Sequence, residues 1–303
     1  MNAICYNNKD DKEACLMNNT THDNYHDYPE GGKRAGGSRT GGRRSSRRKK
    51  KQSRVVYYVI LLVLLGVLVF SAAKIISYFK QQADASQQQQ TLEEEYTTPV
   101  RDNNTTDSSG DNANTVEPDP ESITVDFDKL IADYPDVVGY IYCANTKIKY
   151  VIQHGKGNDY YLVHDSQGNT NNNGSIFIEE LNSGSFSDGN TIIYGHNMKT
   201  GMMFAGLRNY HTDKNYYAAH PYMYIYTPSQ NYKLELFAGF VCEHDDEIYS
   251  TSLTQAQLEA MAAKSDFKAN IGVPTGKTVT LSTCSYEFAD ARYVVIGALT
   301  PIS

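Results

Sequence analysis

The chain lacks any C-x-x-C pair. Its five cysteines, Cys5, Cys15, Cys143, Cys242 and Cys284, are an odd number and stand far apart, so spacing suggests neither a disulfide framework nor a zinc site. Cys143 and Cys242 lie in apolar, strand-like runs and read as buried small hydrophobes. A bridge between these two is conceivable, but spacing gives it no support. Basic residues are scarce in the larger part of the chain. Residues 81–303 hold 13 Lys and Arg against 29 Asp and Glu, whereas residues 1–80 hold 15 against 6. The overall charge of −7 therefore hides a basic front and an acidic back. That asymmetry points to two compartments and speaks against nucleic-acid binding by the folded part.

Charge is missing altogether from residues 55–73, a run of Val, Leu, Ile, Tyr, Phe, Gly, Ser and Ala. As a helix rising about 1.5 Å per residue it spans roughly 28 Å, the hydrocarbon thickness of a bilayer. Tyr57 and Tyr58 sit at one end, where interfacial aromatics are expected. Arg43, Arg44, Arg47, Arg48, Lys49, Lys50, Lys51 and Arg54 precede the run, and only Lys74 and Lys80 follow closely. The positive-inside rule then predicts an uncleaved single-pass type II anchor in the cell membrane, with the C-terminal bulk outside. The rival reading, a cleaved signal peptide, fits less well. The run is longer than a usual signal core, and only a weak cleavage site follows at residues 70–73. Residues 1–54 are expected to be a polar, basic, disordered cytoplasmic tail without a hydrophobic period, and residues 74–122 an extracellular stalk or linker rich in Gln, Asn, Thr, Asp and Glu, its first part a helix continuing from the membrane.

A globular domain is expected over residues 123–303. Phe127, Leu130, Ile131 and Tyr134 recur at helical spacing behind Asp126, a candidate N-cap. From there short β-rich runs follow: residues 137–143, 148–153, 175–178, 190–196, 222–226, 232–241, 278–284 and 293–299. One clear interruption falls at residues 254–264, where Thr254 and Gln257 fit a capping box before a run of good helix formers. Many short strands with few helices predict a mainly β fold, a closed or nearly closed barrel.

The chemistry gathers at Thr280-Leu281-Ser282-Thr283-Cys284. A strand ends there on a thiol, and Arg292 opens the next apolar run, so the two face each other across the mouth of an expected hairpin. A cation beside a thiol favours the thiolate, the form that attacks carbonyls. Among eight histidines, His196 ends a strand in Tyr194-Gly195-His196-Asn197-Met198, with Gly195 expected to let the backbone turn. His154, His164, His211, His220 and His244 sit in polar contexts and read as surface residues. His22 and His26 fall on the other side of the expected membrane. Asp290 and Glu287 are available as surface counter-ions for Arg292.

Together, residues 190–198, the Thr-Leu-Ser-Thr-Cys run and the following arginine resemble the signature of sortases, the membrane-anchored cysteine transpeptidases of Gram-positive bacteria. The likeness is greatest to class B: the amphipathic segment ahead of the first strand, the run at residues 174–178 and the helix inserted before the cysteine strand all resemble it. The resemblance covers residues 125–303 and is specific as a set. It implies an eight-stranded β-barrel with His196, Cys284 and Arg292 in one groove. It further implies cleavage of a C-terminal sorting signal of surface proteins after Thr, through a thioester on Cys284, and transfer to an amine of a peptidoglycan precursor or cross-bridge. His196 would serve as acid and base, and Arg292 would hold the substrate backbone and oxyanion. No metal and no cofactor are implied. Specificity would sit in residues 243–274 and 285–291.

Two features have no counterpart to carry over, the long basic tail and the Asn-rich loop at residues 169–173. The absence of a second apolar span after the last strand argues against the pilus-building class. The alternatives are a pilin polymerase that joins subunits through a lysine, a silent module that binds peptide or cell wall, and a protein whose basic tail recruits anionic lipid or a cytoplasmic partner.

Overall fold

The computed structural model describes residues 49–99 and 123–302. The tail through residue 48, with Cys5, Cys15, His22 and His26, and residues 100–122 of the expected linker lie outside the described residues. Two compact units divide the chain, one ending at Lys80 and the other beginning at Gln81. Helix α1 spans Lys49–Tyr96. In the first unit its apolar side chains, among them Val55, Leu62, Phe70 and Phe79, are exposed on every face. This stretch is long and apolar enough to cross a membrane.

The second unit opens with the last turns of α1, in the stretch read from sequence as linker. Leu92 and Tyr96, four residues apart and so on one helix face, are buried with Tyr140, Tyr142, Tyr224 and Tyr226. The glutamine run beside them is bound as well. Gln88 Nε2 donates to Ser166 Oγ at 3.1 Å and Gln89 Nε2 to the Lys149 carbonyl at 3.1 Å. Lys149 Nζ meets Glu93 at 2.9 Å. Glutamine is a good helix former and offers amide donors to carbonyls, so a helix poor in apolar residues still docks. A short antiparallel pair, Thr97–Pro99 with Ile123–Val125, leads to helix α2, Phe127–Asp133. Its N-cap Asp126 accepts from Lys129 N at 3.1 Å, and Leu130 is its fully buried anchor.

Eight strands then close a barrel: β1 (Val137–Tyr142), β2 (Lys149–Gln153), β3 (Ile176–Ile178), β4 (Asn190–Tyr194), β5 (Tyr222–Tyr226), β6 (Asn231–Cys242), β7 (Thr278–Cys284) and β8 (Arg292–Ile302). Around the barrel the order is β8-β6-β5-β1-β2-β3-β4-β7, with β7 returning to β8. All neighbours are antiparallel except β2–β3 and β4–β7. Closure leaves no strand edge unpaired. The interior is filled by Ile141, Ile152, Ile193, Ile225, Val279 and Leu281 among others.

Helix α3, Gln255–Ala263, carries the expected capping box between Thr254 and Gln257. It lays Leu258 and Met261 on the outer face of β6 and β8. Five shorter helical turns among the described residues, at Asn158–Tyr161, Phe204–Arg208, Asn209–Thr212, Tyr216–Ala219 and Glu247–Tyr249, were not foreseen. Each is too short to show a helical period in sequence. Cys143 packs in the barrel interior and Cys242 in the cluster under α3. Both are separate thiols, with no bridge between them.

Candidate active site

Side chains alternate along β7. Val279 and Leu281 point into the barrel core, which leaves Thr278, Thr280, Ser282 and Cys284 on the outer face. That face is polar yet buried, because the β6–β7 connection covers it. Asn190, fully buried at the start of β4, is the clasp. Its Oδ1 accepts from Thr278 and Thr280 at 3.0 and 2.9 Å. Its Nδ2 donates to the carbonyls of Ile248 and Ser250 at 3.0 and 2.9 Å. Further along, Ser282 Oγ meets Tyr249 OH at 2.9 Å. Cys284 is the last residue of this row and is 7% exposed.

Arg292 is the direct cross-strand partner of Cys284 in the β7–β8 ladder, and of Cys242 on the other side. Its side chain is enclosed, with the residue 2% exposed. Nη1 donates to the carbonyls of Asp290 at 2.9 Å and Ala291 at 3.2 Å. Nη2 is buried with no hydrogen-bond partner among the described residues. Neither carboxylate available from sequence forms an ion pair with Arg292 among the described residues. Asp290 contributes its backbone oxygen, and the Glu287 carboxylate pairs with Arg208 at 2.9 Å.

His196 reaches the same place through the parallel pairing of β4 and β7. Tyr194 pairs with Ser282, and Gly195 N continues the ladder to the Ser282 carbonyl at 3.1 Å. Two residues beyond Tyr194, His196 stands alongside Cys284. Asn197 Nδ2 then donates to the Cys284 carbonyl at 2.8 Å, a tie between the two segments that sequence reading did not single out. His196 Nε2 lies 2.8 Å from the Leu162 carbonyl. A carbonyl only accepts, so Nε2 carries the hydrogen and Nδ1 is the nitrogen left to take or give a proton. The Leu162 oxygen is available because it follows the one-turn helix Asn158–Tyr161, at whose end carbonyls lack helical partners.

Glycines make the room. At Gly195 a Cβ would lie 2.4 Å from Ile176 Cδ1 and 2.8 Å from Phe204. Close packing, not a backbone turn, is therefore the reason for that glycine. Gly174, at φ +58°, would place a Cβ 2.7 Å from the carbonyls of Tyr161 and Leu162 and 3.0 Å from His196 Cδ2. The Asn-rich loop leads into it. Asn171 Oδ1 accepts from Asn173 N at 3.0 Å, and Gln82 Nε2 donates to Asn173 Oδ1 at 2.9 Å. That loop is a built turn behind the imidazole.

His196, Cys284 and Arg292 line one small cleft of about 240 Å³ together with Leu162, Tyr194 and Thr283. Burial lowers the pKa of His196 and its bond to the Leu162 carbonyl opposes this, so burial prevails. Burial, then the Glu179 carboxylate 2.9 Å away, holds the Tyr194 phenol protonated. Cys242 is pushed up to about 12 by burial and by nearby Asp246, which marks it as an inert thiol. A wider depression of about 1080 Å³ adjoins the cleft at Tyr194 and includes Lys156, Asn158, Glu179, His244 and Tyr249. The remaining described histidines do not line the cleft. His164 stacks on Tyr160, His211 pairs with Asp266, and His220 caps on the Tyr216 carbonyl.

Residues 148–300 match the model of a family described as "Sortase domain". Sortase B of Listeria monocytogenes serovar 1/2a is 39% identical over 173 residues, covering 54% of this chain and 70% of that protein. Among solved structures, the Staphylococcus aureus sortase B–substrate complex superposes with a TM-score of 0.54 at 27% identity, over 58% of this chain and 85% of that one. Clostridium perfringens sortase B gives 0.53 at 28% identity, over 58% of this chain and 100% of that one.

Proposed function

The chain belongs to the sortase family, most like class B, and is a cysteine transpeptidase; from that premise we propose that it cuts a C-terminal sorting signal after Thr and passes the surface protein to a peptidoglycan amine. The observation that carries this reading is the shared cleft of His196, Cys284 and Arg292, in which one guanidinium nitrogen is enclosed and unpartnered. A buried charged donor without an acceptor is costly unless a ligand supplies the acceptor.

The steps follow from the atoms. The Cys284 thiol gives its proton to His196 Nδ1, and Sγ, now the thiolate, attacks the Thr carbonyl carbon. Arg292 Nη2 donates to the oxygen that gains charge. The C–N bond breaks, and the leaving amine takes a proton from His196 Nδ1. An incoming amine attacks the thioester, gives a proton back to Nδ1, and the thiolate departs. Burial favours neutral imidazole at rest, so Arg292 is the standing positive charge beside the sulfur. The adjoining depression at Tyr194 is the groove into which the peptide would extend. Residues 55–73 would anchor the chain as a single-pass type II membrane protein, with the basic cluster on the cytoplasmic side.

The test uses the full chain in detergent micelles, incubated with a library of Thr-containing peptides and read by mass spectrometry. An acyl adduct on Cys284, absent in Cys284→Ala, is expected, and its mass names the residues upstream of the cut. Peptide cleavage that persists unchanged in Cys284→Ala overturns the assignment.

A further inference from the structure

The loop between Cys284 and Arg292, residues 285–291, buries little apolar surface at its tip. Its two ends are buried, at Ser285 and Ala291, and joined by Ser285 N to the Ala291 carbonyl at 2.8 Å. Its large side chains face outward: Tyr286 is 70% exposed and Phe288 46%. Apolar burial therefore does not fix the loop. An ion pair ties it to the barrel: Glu287 Oε1 lies 2.9 Å from Arg208 Nη2, both side chains being about two-thirds buried. Glu287 also lies 3.8 Å from His211 Nε2, and His211 Nδ1 is 2.8 Å from Asp266.

Arg208 ends the helical turn Phe204–Arg208, whose first amide donates to the His196 carbonyl at 3.0 Å. The anchor for the loop is thus built on the segment that leaves the histidine. The loop in turn seats Arg292. Asp290 adopts a left-handed φ of 59°, and the carbonyls of Asp290 and Ala291 receive Arg292 Nη1. Aspartate adopts that conformation more readily than most residues, which lets the loop turn its carbonyls toward the guanidinium.

We propose that Arg208 is a positioning residue for Arg292: its ion pair with Glu287 fixes the loop whose carbonyls aim the Arg292 guanidinium at Cys284. The proposal rests on the transpeptidase reading of the cleft, but its test does not require a sorting peptide. Arg292 beside the sulfur raises the thiolate fraction for both reagents alike but attracts only the anionic one. The rate of Cys284 alkylation by iodoacetate relative to iodoacetamide therefore reports where the guanidinium points. The measurement is made on the full chain in detergent, with the Cys284 peptide quantified by mass spectrometry.

Arg208→Ala is expected to lower that ratio roughly fivefold, the worth of one charge a few ångström away in a solvated setting. Arg208→Lys should fall between it and the parent. Glu287→Gln supplies the sharper comparison and a second variant should Arg208→Ala fold poorly. Deleting a negative charge would by itself raise the ratio, whereas release of the loop lowers it. In an Arg292→Gln background only the direct charge effects should remain, so Arg208→Ala should lower the ratio less and Glu287→Gln should no longer lower it. A parental ratio in Arg208→Ala, a raised ratio in Glu287→Gln, or an equal fall in the Arg292→Gln background overturns the proposal. Acyl-adduct formation by the parent is scored separately, so failure of the transpeptidase reading is told apart from failure of this one.

Discussion

Arg292 uses Nη1 to grip two carbonyls of its own loop and leaves Nη2 enclosed without an acceptor among the described residues. An unmet buried donor of a charged group costs upwards of about 1–3 kcal/mol, a cost that is removed when a substrate oxygen arrives. His196 is held with the same economy, by one carbonyl at Nε2, and Gly174 closes the space behind it. Gly174→Ala forces a Cβ at positive φ onto the Leu162 carbonyl and the imidazole edge. Acyl-adduct formation should drop roughly a hundredfold, the cost of misplacing a reacting group by about 1 Å. An unchanged rate would show that this turn does not seat the imidazole. The titration of His196 is the second expectation at this scale. Burial places its folded pKa below the ordinary value of 6.5. Between those two values the unfolded chain binds more protons than the folded one, so this residue's contribution to stability is full above 6.5 and is lost as pH falls through the folded pKa. A ring titration by NMR should show a midpoint below 6.5, and His196→Gln should flatten the stability–pH slope in that window. A midpoint at or above 6.5 would contradict burial as the dominant influence.

Among the elements, the parallel contact of β4 with β7 matters most, since it sets His196 beside Cys284. Asn190 holds that contact together with four hydrogen bonds to β7 and to the segment covering it. Asn190→Leu keeps the volume but strands two carbonyls and the Thr280 hydroxyl, and leaves Thr278 only the Gly189 carbonyl. We expect a loss of at least about 3 kcal/mol in urea unfolding, and a loss below about 1 kcal/mol would mean that water replaces the clasp. Much of this scale was legible beforehand. The β-branched runs marked the strands, Thr254 and Gln257 marked α3, and Cys284 opposite Arg292 followed from a hairpin that the ladder contains residue for residue. Parallel neighbours were not legible, because period-2 alternation gives a strand's faces but not the direction of the strand beside it. The turn at Asn171 and Asn173 was opaque for a related reason: its asparagines are buried by bonds to Gln82 and to the backbone, and polar composition alone reads as loop. Asn197 lay within the recognised run at residues 190–198, but its role was not legible, since it exists only once Cys284 is next to it.

At the scale of the whole molecule, the unit boundary falls inside one helix, at Lys80 and Gln81. Hydropathy marks the apolar part of α1 but not the part that docks, where Leu92 and Tyr96 are the buried anchors and glutamines and Glu93 make the polar ties. A chain cut for solubility at the end of the apparent linker would discard those anchors and uncover Tyr140, Tyr142, Tyr224 and Tyr226. A fragment beginning at Gln81 should therefore unfold in one cooperative transition, while one beginning at Thr97 should unfold at lower urea. Burying Leu92 and Tyr96 is worth roughly 1.5–3 kcal/mol each, and ordering the helix returns part of that, which leaves a net loss of about 2–3 kcal/mol. The effect should also reach the cleft, because Gln82 is bonded to Asn173, next to the glycine that backs His196. Gln82→Ala within the longer fragment isolates that connection. It should slow acylation of Cys284 while moving the urea midpoint little, and equal acylation rates in the two proteins would confine the docked helix to a structural role.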